Sequence, residues 1–231
     1  MKETGQPQAE GTGQDVRASR HDPVQAAVAL LTGLLLGLLV LAWGMAYRGT
    51  LAGGWSRALL TQTGQYGSLL LAATCVLGSL IGTRFLPQVL NAALKTGWHG
   101  VLAGFAMTLC VVHGAFTLVG PRALTLPELL VPGRAPQDTL PLALGTLALY
   151  VLATVYVTWA LRGRIGVRAA RALHLLAYPA FVLGTLHATW LGHAGATEAL
   201  GSAAVGAALA VRLLTLTFAR GRTAARPAGE T

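Results

Sequence analysis

The sequence predicts an all-α membrane protein, a polytopic bundle of six transmembrane helices with both termini in the cytoplasm. Two observations lead to this prediction. The chain of 231 residues is 54% hydrophobic and only 11% charged, with a mean hydropathy of +0.59, whereas soluble domains carry about 25% charged residues. Its apolar residues fall into six runs, each near the ~20 residues that a helix needs to cross the hydrocarbon of a bilayer.

The six apolar runs define the predicted domain organisation. The predicted spans are 24–47, 67–85, 97–119, 140–161, 172–191 and 200–218. Together they form a transmembrane domain over 23–219, between disorder-like cytoplasmic tails at 1–22 and 220–231. The polar stretch 48–66 is predicted to be a connector with a short interfacial helix near 55–60. The proline-rich stretch 120–141 is too broken for a long helix and is expected to fold over one membrane face.

The basic residues predict the orientation and exclude one class of partner. A soluble protein with a net charge of +9 would suggest a nucleic-acid partner. Here the charge lies in connectors and tails, so we expect contact with membrane lipid and not with nucleic acid. In the six-span topology, 13 of the 17 Lys and Arg residues fall on the side of the two termini. The positive-inside rule then places both termini in the cytoplasm. We therefore expect a multi-pass protein of the plasma membrane.

Four histidines lie inside two of the apolar runs, His99 and His113 in the third and His174 and His187 in the fifth. Ionisable residues inside a bilayer are costly and usually functional. The two spans run parallel in the predicted topology, and roughly 20 Å of helix separates the two histidines of each span. One imidazole pair therefore lies towards the cytoplasm and another towards the outside. Two such pairs can hold two stacked haems, because each iron takes one axial imidazole from each helix.

The spacing within the fifth span is less regular than in the third. Fourteen residues return an ideal helix to within about 40° of its starting direction, but 13 residues miss that direction by about 140°. Pro179 lies between His174 and His187, so we expect a local distortion there. A zinc site is disfavoured because no carboxylate or thiolate joins either pair. A haem-free, proton-conducting or structural bundle stays open as an alternative.

The segments with these histidines resemble the ferric reductase-like transmembrane domain, the haem-bearing core of ferric reductases and NADPH oxidases. The resemblance lies in WHGVLAGFAMTLCVVHGAF at 98–116, with His-x13-His, and RALHLLAYPAFVLGTLHATW at 171–190, with His-x12-His. It covers about residues 60–192, since 63–84 and 144–162 also look like members of this family. The second segment is also similar to the haem-binding membrane subunit of the periplasmic methionine sulfoxide reductase system. That subunit lacks a histidine matching His99, so the four-histidine set favours the two-haem group.

The resemblance implies two b-type haems, one held by His99 and His174 and the other by His113 and His187. Ferric reductases and NADPH oxidases also carry a cytoplasmic flavin and NADPH domain, whereas this sequence ends about a dozen residues after the sixth span. We therefore expect FAD only on a separate flavoprotein partner. A membrane quinol is the other candidate donor, which makes a quinone a further candidate cofactor.

Three other polar residues lie close to these spans. Arg171 is one helical turn before His174 and is a candidate for cofactor binding through haem propionates, with an ordinary interfacial anchor as the equal alternative. His193 follows the fifth span and is interpreted as a solvated loop histidine, with a role at the outer haem edge as the alternative. Arg212 lies inside the sixth span and is expected to extend to the interface.

The function expected from these residues is transmembrane electron transfer by two b-type haems. Electrons would move from a cytoplasmic or quinol donor to an extracytoplasmic acceptor, which is a ferric chelate, dioxygen or a redox partner protein. The alternative is a haem-binding anchor subunit that relays quinol electrons to a separate periplasmic or extracellular reductase. Both functions make the chain an oxidoreductase or a component of one. Its own enzymatic activity stays open, because no soluble-enzyme motif such as a phosphate-binding loop is found.

Overall fold

The computed structural model describes residues 51–81, 98–119, 123–193 and 195–224, together with Leu36, Gly37, Leu39 and Ala42. All regular structure in these residues is helical, and they contain no strand. The predicted N-terminal tail, most of the predicted first span, the end of the predicted second span and residues 225–231 of the predicted C-terminal tail lie outside the described residues.

The described part of the chain contains helices that are long and apolar enough to cross a membrane. In chain order the helices are α1 Leu51–Leu80, α2 His99–Phe116, α3 Leu126–Leu130, α4 Thr139–Ala160, α5 Arg162–Ile165, α6 Val167–His174, α7 Ala177–Trp190 and α8 Ala196–Ala224. Four segments meet both criteria, namely α2, α4, α6 with α7, and residues 196–217 of α8. At most 17% of the residues in each are buried. Large apolar side chains such as Phe105 and Val182 are exposed, as expected of a surface that contacts lipid.

The prediction of a polar connector at 48–66 is wrong for residues 51–66, which form the first half of α1. The threonines there do not interrupt the helix, because their hydroxyls bond to carbonyls of the preceding turn. Thr61 Oγ1 donates to Arg57 O at 3.1 Å, and Thr63 Oγ1 donates to Leu59 O at 2.6 Å. Helix α1 is not one of the four candidate membrane spans.

The described helices form one bundle around α1. Helix α1 packs against α2, α8 and α7, and α4 packs against α7 and α6. The core between α1, α7 and α8 contains Ala72, Cys75, Phe181 and Val205. Small residues bring α1 and α8 close together, since a Cβ at Gly201 would lie 3.3 Å from Ala72 Cβ, as is usual for helix contacts in membranes.

One hydrogen bond joins α1 to α7 at the level of His99, since Ser79 directly follows Gly78, whose Cβ would lie 3.1 Å from His99 Cε1. The Ser79 and Tyr178 hydroxyl oxygens lie 2.7 Å apart. Ser79 Oγ also donates to Cys75 O at 2.8 Å. A serine hydroxyl has one hydrogen, so Tyr178 is the donor to Ser79. The pair fixes α7 against α1 at a point that is fully buried on the Ser79 side.

The predicted distortion of the fifth span is confirmed. Helix α6 ends at His174 and α7 begins at Ala177. In between, the N–H groups of Leu175, Leu176 and Tyr178 donate to carbonyls three residues back rather than four. Residues in such tight turns advance about 120° instead of about 100°. The extra rotation turns His187 towards the side that His174 occupies.

In the described part of the proline-rich stretch no long helix forms before α4, as predicted. Helix α3 has five residues, and two side chains of α4 fix its C-terminal end. Thr146 Oγ1 donates to Leu129 O at 2.9 Å, and the Tyr150 hydroxyl donates to Leu130 O. These bonds place α3 beside the cavity described below.

Candidate functional site

The structure brings the four intramembrane histidines together as two pairs, which we call the first pair (His99 and His174) and the second pair (His113 and His187). The ring centroids are 5.9 Å apart in the first pair, with an interplanar angle of 65°. In the second pair they are 6.2 Å apart, with an angle of 81°. His99 begins α2 and His174 ends α6, directly before α7, whereas His113 and His187 lie in the last turns of α2 and α7. The two helices therefore run parallel, with one pair at each level.

The hydrogen bonds of the second pair fix which ring nitrogen carries the proton. His113 Nδ1 lies 2.8 Å from Leu60 O on α1, and His187 Nδ1 lies 2.7 Å from Pro141 O on α4. A carbonyl oxygen only accepts, so both Nδ1 atoms are donors. In neutral rings both Nε2 atoms then carry a free lone pair, which is the tautomer that ligates a metal.

Glycines on neighbouring helices provide the space for three of the four imidazoles. A Cβ at Gly64 of α1 would lie 2.8 Å from His113 Cε1, and one at Gly145 of α4 would lie 2.7 Å from His187 Nδ1. Both glycines come four residues after the carbonyl that binds the same imidazole, so the two rings of the second pair are held in the same way. A Cβ at Gly78 would be 3.1 Å from His99 Cε1. Any side chain at Gly64 or Gly145 would displace its histidine.

The first pair has different surroundings. The Nδ1 atoms of His99 and His174 are buried and have no hydrogen-bond partner among the described residues. His174 instead contacts the Trp159 ring, with centroids 4.9 Å apart. The Arg162 guanidinium lies over the Trp159 ring, 5.2 Å from its centroid. This distance is within the range of a cation–π interaction.

A cavity of about 560 Å³ lies at the second pair, a size typical of cofactor sites. Its walls are mostly apolar and come from α1, α2, α3, α4 and α7. Both rings of the second pair line it, together with Phe181 and the leucines of α3 and α4. Its polar side chains include Thr61, Gln65, Ser68, His193 and Glu198. No Lys or Arg occurs among the described lining residues.

Two glycines leave open space on the walls of this cavity. Gly114 follows His113 on α2, and Gly184 lies one turn before His187 on α7. Both line the cavity, and a Cβ at either position would meet nothing within 4 Å. The wall therefore leaves open space beside each imidazole, as a bound cofactor requires.

The donor set fits a haem better than a bare metal ion. Two metal–imidazole bonds of about 2 Å, plus about 1 Å from each ring nitrogen to its ring centre, put axial imidazoles about 6 Å apart. Both pairs have this separation. A closed zinc site takes four protein ligands, and no cluster of three or more His, Cys, Asp or Glu occurs among the described residues. The described lining contains no arginine or lysine for the propionates of a haem at the second pair.

The other predicted polar residues are placed as follows. Arg171 is exposed and makes no hydrogen bond or ion pair with another described residue, so its proposed contact with propionates stays a prediction. Arg212 Nη1 donates to Ile81 O at 3.0 Å, where α1 ends, and so satisfies a free carbonyl of that helix end. His193 is exposed and lines the cavity at the second pair. Gly192, with φ of +73°, allows the turn that places it there.

Sequence reasoning missed one residue of this site, Glu198. It lies in the first turn of α8 and is only 8% exposed. Ser68 Oγ donates to its Oε1 at 3.0 Å, and Thr197 Oγ1 donates to its Oε2 at 2.8 Å. The signal was present, because Glu198 is the only acidic residue between Asp138 and Glu230 and directly precedes an apolar run.

Comparisons with protein-family models, curated proteins and solved structures found no match for this chain. The resemblance to the ferric reductase-like domain therefore depends on the histidine spacing and the flanking segments alone, and membership of that family stays a prediction.

Proposed function

We propose that this chain is a transmembrane electron-transfer protein that holds two b-type haems, one at each histidine pair. The observation that supports this function best is the separation of the paired rings, 5.9 Å and 6.2 Å between centroids. Four unrelated membrane histidines would not be expected to form two pairs, each with the separation of two axial ligands.

The residues around the second pair support ligation by Nε2. Leu60 and Pro141 accept the Nδ1 protons, and Gly64 and Gly145 leave room for the rings. Hydrogen bonds of this kind orient a ligand and raise its basicity. When bound, the haems would supply one-electron redox centres at two depths of the bilayer. The roles of the chain are to hold the ligands at two levels and to exclude water.

The topology that we propose for this function has six spans in the plasma membrane with both termini in the cytoplasm. Four candidate spans occur among the described residues. Helix α1 and the predicted span at 24–47 would be the other two, with α1 packed against α2 and α8. The arginines Arg162, Arg164, Arg168 and Arg171 would then lie in the cytoplasm with the first pair. We propose that electrons enter there from a separate flavoprotein, or from a quinol, and leave near the second pair to an extracytoplasmic acceptor.

Transfer across a sealed membrane tests this function. Purified protein is reconstituted into liposomes that enclose ferricyanide, and dithionite is added outside. We expect the absorbance of ferricyanide to fall faster with the protein than with empty liposomes. Replacement of His113 and His187 by leucine should return the rate to that of empty liposomes, because one of the two levels is then missing.

Two results would contradict the proposal in different ways. Haem-loaded protein that leaves the enclosed ferricyanide oxidised would mean that electrons do not cross, which favours an anchor subunit that delivers them on one side. Folded protein without any haem, isolated from haem-replete cells, would favour the haem-free alternative, in which the histidines belong to a proton path.

A further inference from the structure

Glu198 is a buried carboxylate that does not contact any of the four histidines through a described hydrogen bond. It lines the cavity at the second pair, and both of its oxygens accept hydrogen bonds, from Ser68 and from Thr197. Acceptance at both oxygens is the pattern of an ionised carboxylate. A charge in a low-dielectric site acts more strongly and over a longer distance than a charge in water.

The charged groups at this cavity are few. Glu128 of α3 lines it together with Glu198. Besides the second pair, the other titratable side chains of the described lining are His193, Cys110 and Tyr150. The backbone N–H of Thr125 donates to Glu128 at 2.7 Å and lowers the pKa of that carboxyl, so Glu128 also contributes negative charge. No Lys or Arg occurs in the described lining, but Arg134 acts on Glu128 from outside it, so the buried negative charge at the second pair is that of Glu198.

The first pair has charge of the opposite sign beside it. Arg162 lies over Trp159, whose ring contacts His174. The described acidic residues, Glu128, Asp138 and Glu198, all lie elsewhere. A negative charge stabilises the oxidised state of a nearby iron centre, and a positive charge stabilises the reduced state.

We propose that Glu198 lowers the midpoint potential at the second pair and thereby makes the second pair the low-potential site of this protein. This inference depends on the proposed function, because it requires a haem at each pair. A lower potential makes the second site the stronger reductant towards an acceptor on its side of the membrane.

A purely structural role for Glu198 predicts a different result. The bond from Ser68 joins α1 to α8, and a carboxylate in the first turn of a helix is favoured by the helix dipole. Loss of either contribution would lower stability and leave the potentials unchanged. The midpoint potential therefore separates the two roles.

The test is a redox titration of the purified di-haem protein, followed by its optical spectrum at one fixed pH. The redox step of the second site is identified by comparison with His187→Leu, because the titration of that variant should lack this step. We expect the wild type to titrate in two steps, with the second site lower. Glu198→Gln keeps the shape of the side chain and one acceptor oxygen but removes the charge, and should move only the second step to a more positive potential.

Matched variants complete the test. Ser68→Ala keeps the charge and removes the bond to α8, so it should lower thermal stability without moving either step. Gln65→Glu adds a carboxylate at an exposed position of the cavity wall and should move the second step to a more negative potential, even if Glu198→Gln folds poorly. Glu128→Gln, the same charge change in the peripheral helix α3, should cause a smaller positive shift than Glu198→Gln.

The outcomes distinguish this inference from the function on which it depends. Wild-type protein without two haems contradicts both. A di-haem protein in which Glu198→Gln and Gln65→Glu leave the second step in place contradicts the role of Glu198 alone. The same holds if either change moves the two steps equally, because that would be a global effect and not an effect of this cavity.

Discussion

Each histidine pair takes one imidazole from α2 and one from the α6–α7 segment. The surrounding residues nevertheless support the two pairs differently. At the second pair, backbone carbonyls accept hydrogen bonds from both Nδ1 atoms, and glycines on neighbouring helices leave room for both rings. A cavity lies beside this pair. At the first pair both Nδ1 atoms lack a described partner, and the main side-chain neighbour of His174 is an aromatic ring. The polypeptide therefore preorganises the second site through bonds that the described residues do not make to the first.

This difference indicates how a helical bundle can hold two similar cofactors with unequal properties. A hydrogen bond from Nδ1 makes an imidazole a stronger donor to iron, and among the described residues such bonds are made to the second pair alone. The effect on the potential has the same sign as that of Glu198. The same argument predicts that second-site haem is retained more firmly than first-site haem during purification.

The largest difference between the pairs should follow from removing the glycine contacts. Gly145→Ala would put a Cβ at 2.7 Å from His187 Nδ1, so the ring must move and its bond to Pro141 must break. We expect loss of second-site haem with first-site haem retained, at a stability cost of about 1–3 kcal/mol for overpacking. Haem content per chain measures this.

Gly64→Ala should resemble Gly145→Ala, and Gly78→Ala, with a longer contact of 3.1 Å to His99, should affect the first site less. Gly104→Ala is the control, because a Cβ there meets nothing within 4 Å and Gly104 does not line the cavity. Equal loss of haem in all four variants would contradict the assigned contacts.

A smaller effect should follow from filling the cavity wall. Gly184→Ala adds a methyl group that contacts no protein atom but occupies cavity space beside His187. We expect weaker haem binding at the second site and an unchanged melting temperature of haem-free protein. Gly206→Ala, an exposed position on α8 that is equally free of contacts, should change neither. A full second-site haem content in Gly184→Ala would show that no ligand lies against this wall.

The aromatic contact of the first pair should have a local effect. Trp159→Leu removes a ring contact with His174 that is worth about 0.5–1.5 kcal/mol, and it also removes the surface on which Arg162 lies. We expect a shift of the first redox step and of its absorption band, with the second step unchanged. A shift of the second step alone would reverse our assignment of the two sites.

The smallest effect should come from the hydroxyl pair of Ser79 and Tyr178, which lies near the first histidine pair. Tyr178→Phe removes the bond to Ser79, while Ser79 keeps its bond to Cys75 O. We expect a loss of about 1 kcal/mol in unfolding free energy, with both haems still bound. Loss of either haem would mean that Tyr178 positions α7 for ligation and does not simply stabilise the bundle.

Much of the helical architecture followed from hydrophobic length alone. The predicted span 140–161 matches α4, Thr139–Ala160, within one residue, because an apolar run with polar ends defines its own limits. The turn at Leu175 and Leu176 also followed from the 13-residue spacing and Pro179. The first half of α1 could not be predicted, because its Gln and Thr residues are typical of a polar connector. Only the hydrogen bonds of the folded helix show that the threonine hydroxyls are satisfied there.

The candidate site was predictable in its histidines and not in its supports. Level and pairing follow from positions along two helices, so His99, His113, His174 and His187 could be singled out from the sequence. Gly64 and Gly145 could not, because the chain has 29 glycines and only packing shows which of them face an imidazole. Glu198 was overlooked because it precedes the apolar run, although a single acidic residue at that place was a usable signal.

The most direct test of the central claim is haem content per chain in paired histidine variants, from reduced-minus-oxidised spectra of purified protein. If each haem is held by one pair, His99→Leu with His174→Leu should retain one haem, as each single variant should. His99→Leu with His113→Leu should retain none, because it removes one ligand from each pair. Retention of one haem in this second combination, or loss of both in the first, would contradict the pairing on which the proposed function depends.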